Sequence, residues 1–399
     1  MSRAAGFPAV SSLGLVTCIG RDVVTAAAAQ RAGIVRRRPL VGVTAYDEGD
    51  LEAPVVGAPI ADALEGFVQT GAWLRLAEGA VADLIRYGGL PTGDADPAFW
   101  GRTALSWILP RIDLERFGWP GEEIPALLDR WTGRALLDLA RLPISRAPLF
   151  FPSGPAGLAA AIRGLSVAFA DGADRVLLLA TDSWLDTMSL AWLGDQGRLK
   201  TAENPIGLCP GQAGACALVE NPRAAGADPG VRPRAGRAEA VVLGAAMRAV
   251  GRPSAGGRGE EGDGSRDETD DDGGLEAIRA AAAPRWGEGL AACVIEVLRS
   301  TGIVGPFAGD IYVDLSGESW QATAWGHALP RLHGALDLDR VQVLIPAVQT
   351  GDIGAASSLA ALCFAVRSHA RGYATDRESL ICSIGDDGNV AAIVVGSPR

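Results

Sequence analysis

Phe150-Phe151-Pro152-Ser153-Gly154-Pro155-Ala156-Gly157-Leu158-Ala159-Ala160-Ala161 is a short apolar strand that bends sharply into a helix of small residues, with a lone serine at the bend. A side chain at such a place sits at a helix N-terminus, where unpaired backbone N–H groups and the helix dipole favour negative charge. The bend is therefore a natural seat for a nucleophile, and Ser153 occupies it. The same residues also read as plain architecture, because serine is a favoured N-cap and a proline in the first turn loses no hydrogen bond. A third reading gives Ser153 a polar contact to a bound ligand.

The chain around this bend has 399 residues, 48% hydrophobic and 21% charged, enough apolar material for one large core or two fused ones. Its net charge of −11 excludes a nucleic-acid surface, which needs clustered Lys and Arg. Arg36-Arg37-Arg38 is the one compact basic run and fits a solvated turn. The six cysteines show no CxxC spacing and lie mostly in apolar segments, as small core residues of a reducing compartment do. No stretch has the length and apolarity of a membrane span. The expectation is a cytoplasmic protein that binds neither membrane nor nucleic acid and holds no metal or cofactor.

Apolar β-branched runs alternate with Ala/Leu-rich stretches, the pattern of an α/β protein with buried sheets. Predicted strands span 9–17, 103–109, 175–180, 213–220, 238–245, 311–315, 341–345, 380–384 and 390–395. Predicted helices span 70–87, 122–142, 156–170, 275–300 and 353–370. Between Gly251 and Gly274 the chain is Gly-rich and acidic, too polar to order itself by burial, and reads as a disordered surface loop.

Several local motifs, in their order along the chain, carry a family resemblance. The opening Gly14-Leu15-Val16-Thr17-Cys18-Ile19-Gly20, the bend at Ser153 with the strand from Arg175, and Gly211-Gln212-Ala213-Gly214-Ala215 each resemble segments of β-ketoacyl synthases. So do Tyr312-Val313-Asp314-Leu315-Ser316-Gly317 and Thr350-Gly351-Asp352-Ile353-Gly354-Ala355-Ala356, the latter one residue shorter than the family's segment. The resemblance implies a thiolase-like α/β fold, two α/β/α/β/α halves fused into a five-layered body, with halves at 1–235 and 236–399 and the acidic loop at 251–274. It also implies a dimer, formed with a second copy or with a ketosynthase-like partner, through an edge strand expected at Arg175–Ala180.

Ketosynthases carry the acyl chain on a cysteine and use two histidines at the malonyl thioester. Mapped onto this chain, those positions hold Ser153, Ser316 and Asp352. A serine hydroxyl needs a neighbouring base to react at neutral pH, and none of His327, His333 and His369 maps near it. A carboxylate at Asp352 opposes the enolate charge that a histidine would favour. No catalytic residue is expected at the three degenerate positions.

The segment Glu318–His327, with Trp320 and Trp325, is expected as a loop, its tryptophans forming either a partner surface or core. Trp184 and Trp192 are expected to fill space that would otherwise be an acyl tunnel. Ser383–Asn389 reads as a tight turn between the last two strands. Three functions follow. The first is an inactive adaptor or structural partner, resembling ketosynthase-like proteins encoded beside type VI secretion effectors. The second is a chain-length-factor-like subunit of an active ketosynthase, with acyl-carrier protein as a partner, and the third an acyltransferase using Ser153.

Overall fold

The computed structural model describes residues 6–47, 51–60, 64–112, 114–119, 124–224, 238–251 and 274–398. The first half contains β1 (Ala9–Val16), α1 (Val23–Arg31), a hairpin of β2 (Arg38–Asp47) and β3 (Leu51–Gly57), α2 (Gln69–Gly88), α3 (Pro97–Gly101) and β4 (Thr103–Ile108). It continues through α4 (Leu114–Phe117), α5 (Ile124–Leu128), α6 (Arg134–Leu139), β5 (Leu149–Phe151), α7 (Gly157–Ala170), β6 (Arg175–Ser183), α8 (Thr187–Asp195) and β7 (Gln212–Glu220). The second half holds β8 (Ala240–Ala249), α9 (Gly274–Thr301), β9 (Asp310–Val313), α10 (Ser319–Arg331), β10 (Gln342–Leu344), α11 (Ala347–Thr350), α12 (Ser357–Arg371), β11 (Glu378–Ile384) and β12 (Asn389–Gly396).

Ten strands line up as β10-β9-β11-β12-β8-β1-β7-β6-β4-β5. The first half runs β1-β7-β6-β4-β5 and the second β8-β12-β11-β9-β10, so the chain repeats one strand order: first, fifth, fourth, second, third. Only two residue pairs, Ala9 with Val241 and Val10 with Ala240, join the two groups. In each half the last two pairings are parallel, β6-β4-β5 and β11-β9-β10.

Side-chain alternation builds the layers. Val176, Leu178 and Ala180 of β6 point into one core, shared with α7, α12 and the inward residues of β12, while Leu177 and Leu179 point into another beneath α2. On the other sheet Leu380, Cys382 and Ile384 face α9 and α10. The layers are therefore α2, sheet, α7 with α12, sheet, α9 with α10: the five-layered α/β architecture expected from the sequence. Burial on both faces explains why the strands read as nearly continuous apolar runs. It also explains α12, buried continuously from Ser358 to Ser368. Gly14 and Gly214 seat α2 on its sheet, since a Cβ at either would strike that helix's backbone. Asp83 of α2 then accepts from the backbone N–H of Leu15 at 3.0 Å and of Val23 at 2.7 Å, tying β1 and α1 to the same helix.

Two expectations change. The strand from Arg175 is interior, between β7 and β4, and the outer strand of that half is β5. At three residues, β5 is too short to announce itself as an edge. Residues 319–331 form helix α10 and not a loop, and Trp320 and Trp325 are buried in its core, despite Gly326 and Pro330 within the helix. The hairpin β2–β3 was not anticipated. The boundary at 235 and the interior of the acidic loop, 252–273, lie outside the described residues.

Candidate functional site

Beyond the carboxyl ends of the parallel strands, where ligands of open α/β sheets usually bind, the two halves line a partly open cavity with about 50 Å³ of free space. Each strand delivers lining residues from the loop that follows it. Pro110 and Arg111 come after β4, Gly154 and Pro155 after β5, and Asp182 and Trp184 from the end of β6 and just past it. From the second half come Asp314 after β9, Asp352 and Gly354 before α12, and Gly385, Asp386 and Asp387 in the β11–β12 turn. Arg116, Trp192, Arg198, Trp320 and Gln321 complete the walls.

Asp182 locks the two halves together. Its Oδ1 accepts from Arg116 at 2.8 Å and from Ser183 N at 2.8 Å, and its Oδ2 accepts from Ala355 N of the other half at 2.9 Å. Arg116 also donates to Ser183 O at 2.8 Å and Ser189 Oγ at 3.0 Å, and its guanidinium lies 3.6 Å from the centre of the Trp184 ring. Arg198 makes a second lock, with two 2.8 Å bonds to Glu318 and one to Asp386. Burial works against its charge, but Glu318 and Asp386 raise its pKa further above the usual arginine range.

Asp352 and Asp314 are differently placed. Asp352 Oδ1 accepts from Gly354 N at 2.7 Å and Trp184 Nε1 at 3.2 Å. Burial pushes its pKa up to about 6, Glu318 adding to the rise while the Gly354 N–H, Arg198 and Trp184 oppose it. Burial, and then the Asp352 charge, raise Asp314 well above the carboxylate range, against a hydrogen bond from Ser357. Asp314 Oδ2 and Trp320 Nε1 are both buried without a hydrogen-bond partner. Burial and the Asp352 charge thus favour the protonated form of Asp314.

Of the three degenerate positions, Asp352 lines the cavity and Ser153 and Ser316 do not, while Trp184, Trp192 and Trp320 stand in its wall. Ser316 sits behind the wall, its Oγ donating to Gln321 Oε1 at 2.8 Å. Ser153 is half-buried and makes no side-chain cap; with φ −122° and ψ 25° it lacks the extended backbone of an N-cap, so the capping role does not hold. Its neighbour Gly154, at φ +53°, faces the cavity in its place, and a Cβ there would meet nothing within 4 Å. No histidine or cysteine lines this cavity, and the described residues contain no cluster suited to hold a metal. Sequence reasoning passed over Asp182, Asp314, Arg116 and Arg198. The available signal was a carboxylate at the end of an apolar strand, as in Leu179-Ala180-Thr181-Asp182 and Tyr312-Val313-Asp314.

No family model and no curated protein matches this chain. Solved structures do. The ishigamide ketosynthase/chain length factor is 19% identical, covering 99% of this chain and 100% of that one, with a TM-score of 0.63. A type II polyketide synthase acyl-carrier protein in complex with its ketosynthase bound to the hexaketide gives 14% identity, 99% and 100% coverage and a TM-score of 0.69. The oxazolomycin ketosynthase domain of Streptomyces albus JA3453 gives 13%, 98% and 74%, and 0.65. The chain has the thiolase-like fold of ketosynthases.

Proposed function

We propose that this chain is a ketosynthase-fold protein that does not carry out decarboxylative condensation and instead serves as a binding partner. The observation that carries this is the cavity wall, which presents Gly154, Asp314 and Asp352 and neither thiol nor imidazole. Without a thiolate there is no acyl carrier group, and an ionised Asp352 repels an enolate. The cavity-facing position at the bend has no side chain at all, and Ser153 has no base bonded to it, so an acyltransferase role gains no support.

Two partner classes fit. The neighbouring structures include a ketosynthase/chain length factor and a ketosynthase complexed with its acyl-carrier protein, which supports a subunit role beside an active ketosynthase. An adaptor for a type VI secretion effector is the other. The repeated strand order supports halves at 1–235 and 236–399 as the structural units. A dimer would use the outer edge of β5, where Leu149 is 51% exposed. A reducing, cytoplasmic setting accords with six free, buried cysteines.

Incubation with acyl- and malonyl-loaded carrier protein should leave the intact mass unchanged and release no carbon dioxide. An acyl adduct lost in Ser153→Ala, or carbon dioxide release, would overturn the proposal. Affinity capture from the native lysate separates the partners: a ketosynthase or carrier protein supports the subunit role, a secreted effector the adaptor.

A further inference from the structure

We propose that the cavity binds a small organic cation, a primary amine bearing a carbonyl oxygen, with its ammonium at the Asp314 and Asp352 carboxyl groups and its oxygen at Trp320 Nε1. This goes beyond the partner role and does not depend on it.

Charge matching within the walls leaves this gap. Arg116 is met by Asp182 at 2.8 Å, and Arg198 by Glu318 and Asp386 at 2.8 Å each. Arg111 and Asp387 offset one another in sign at the rim. Asp314 and Asp352 remain with no bonded cation: Asp352 takes only the neutral donors Gly354 N and Trp184 Nε1. Asp314 Oδ2 has no partner at all. Trp320 is 2% exposed, lines the same cavity, and its Nε1–H is likewise unmatched. Buried groups of this kind are seldom left unpaired in native proteins. The carboxyl pair asks for a donor and the indole for an acceptor, so an occupant carrying both satisfies each.

The charge of the occupant follows from the pair. Two carboxyl groups without a bonded cation line one cavity, and since the Asp352 charge favours the protonated form of Asp314, negative charge remains on the pair. A monocation neutralises it, whereas an anion is repelled and a neutral amide leaves it uncompensated. About 50 Å³ of free space suits an occupant of only a few non-hydrogen atoms, and the stacked Trp184 and Trp192 rings, 6.1 Å apart, supply an apolar wall. The absence of a side chain at Gly154 keeps that volume open.

Calorimetric titration of the full chain with glycinamide, β-alaninamide and 4-aminobutanamide, each against its N-acetyl counterpart, tests the assignment. At least one amine should bind saturably, one per chain, and its N-acetyl form about tenfold or more weaker, the worth of a charge-assisted hydrogen bond. Asp314→Asn and Asp352→Asn should each weaken the amine about tenfold, and Trp320→Phe about threefold, with unchanged circular dichroism. Equal binding of an N-acetyl form, no saturable binding across the panel, or full affinity in both aspartate variants would overturn it.

Discussion

The turns Ser153-Gly154-Pro155-Ala156 and Ile353-Gly354-Ala355-Ala356 hold equivalent places in the two halves, each between the outermost strand and the central helix. Their glycines share a left-handed backbone, at φ +53° and +51°. Their surroundings differ. A Cβ at Gly154 would enter open space, but one at Gly354 would run into the Asp182 carboxylate. Both turns line the cavity, but the second is clamped by a carboxylate reaching across from the opposite half. Duplicated topology thus supplies two similar bends, and side chains from elsewhere decide which of them is held.

The clamp can be broken most severely through Arg116. Arg116→Ala leaves Asp182 charged and unpaired in the core, and chemical denaturation should show a loss of about 4 kcal/mol. A loss below about 1 kcal/mol would mean that Asp182 is held by its backbone donors alone. Gly354→Ala should cost about 3 kcal/mol, combining the left-handed backbone penalty with displacement of the carboxylate.

On the cavity side of the comparison, Asp352→Asn should stabilise the protein. Burial raises this carboxyl to about 6 in the folded state, above its unfolded value of 3.8. Folding therefore favours its protonated form, so the stability this group allows is complete below pH 4 and falls as pH rises toward 6. Thermal melts should show the variant gaining about 3 kcal/mol at pH 8 and almost nothing at pH 4. An equal gain at both pH values would place the effect elsewhere.

Gly154→Ala is the counterpart to the change at Gly354. Without a clash it should cost only the backbone term, about 1 kcal/mol. Ser153→Ala should be smaller still, within about 0.5 kcal/mol, because no cap is lost; a loss near 1 kcal/mol by the same melts would restore the capping role.

Much of the fold is legible in sequence because nearly every core strand is buried on both faces. Strands β1, β4, β6, β7, β11 and β12 stand out as apolar runs, and α2, α7 and α9 as Ala/Leu-rich stretches bounded by Gly or Pro. What escaped notice had weak local signals: the edge position of the three-residue β5, the hairpin β2–β3, and α10 with its internal Gly326 and Pro330. Within the site, Asp352 is identifiable because it falls inside a motif. Asp314 falls inside a motif as well, at a position to which the motif gave no role, whereas Asp182, Arg116 and Arg198 follow no period, and nothing in one dimension couples a charge to its partner.

The amino-acid order by itself determined the alternation of strand and helix, the small residues that let α7 and α12 lie between two sheets, and the absence of a cysteine at the bend after β5. Tertiary structure decided the rest. The positive φ of Gly154 turned that residue to the cavity and left Ser153 off its wall. Charges 66 and 120 residues apart, Arg116 with Asp182 and Arg198 with Glu318, neutralised one another. That matching, possible only after distant segments had packed, left Asp314 and Asp352 as cavity carboxyl groups with no bonded cation.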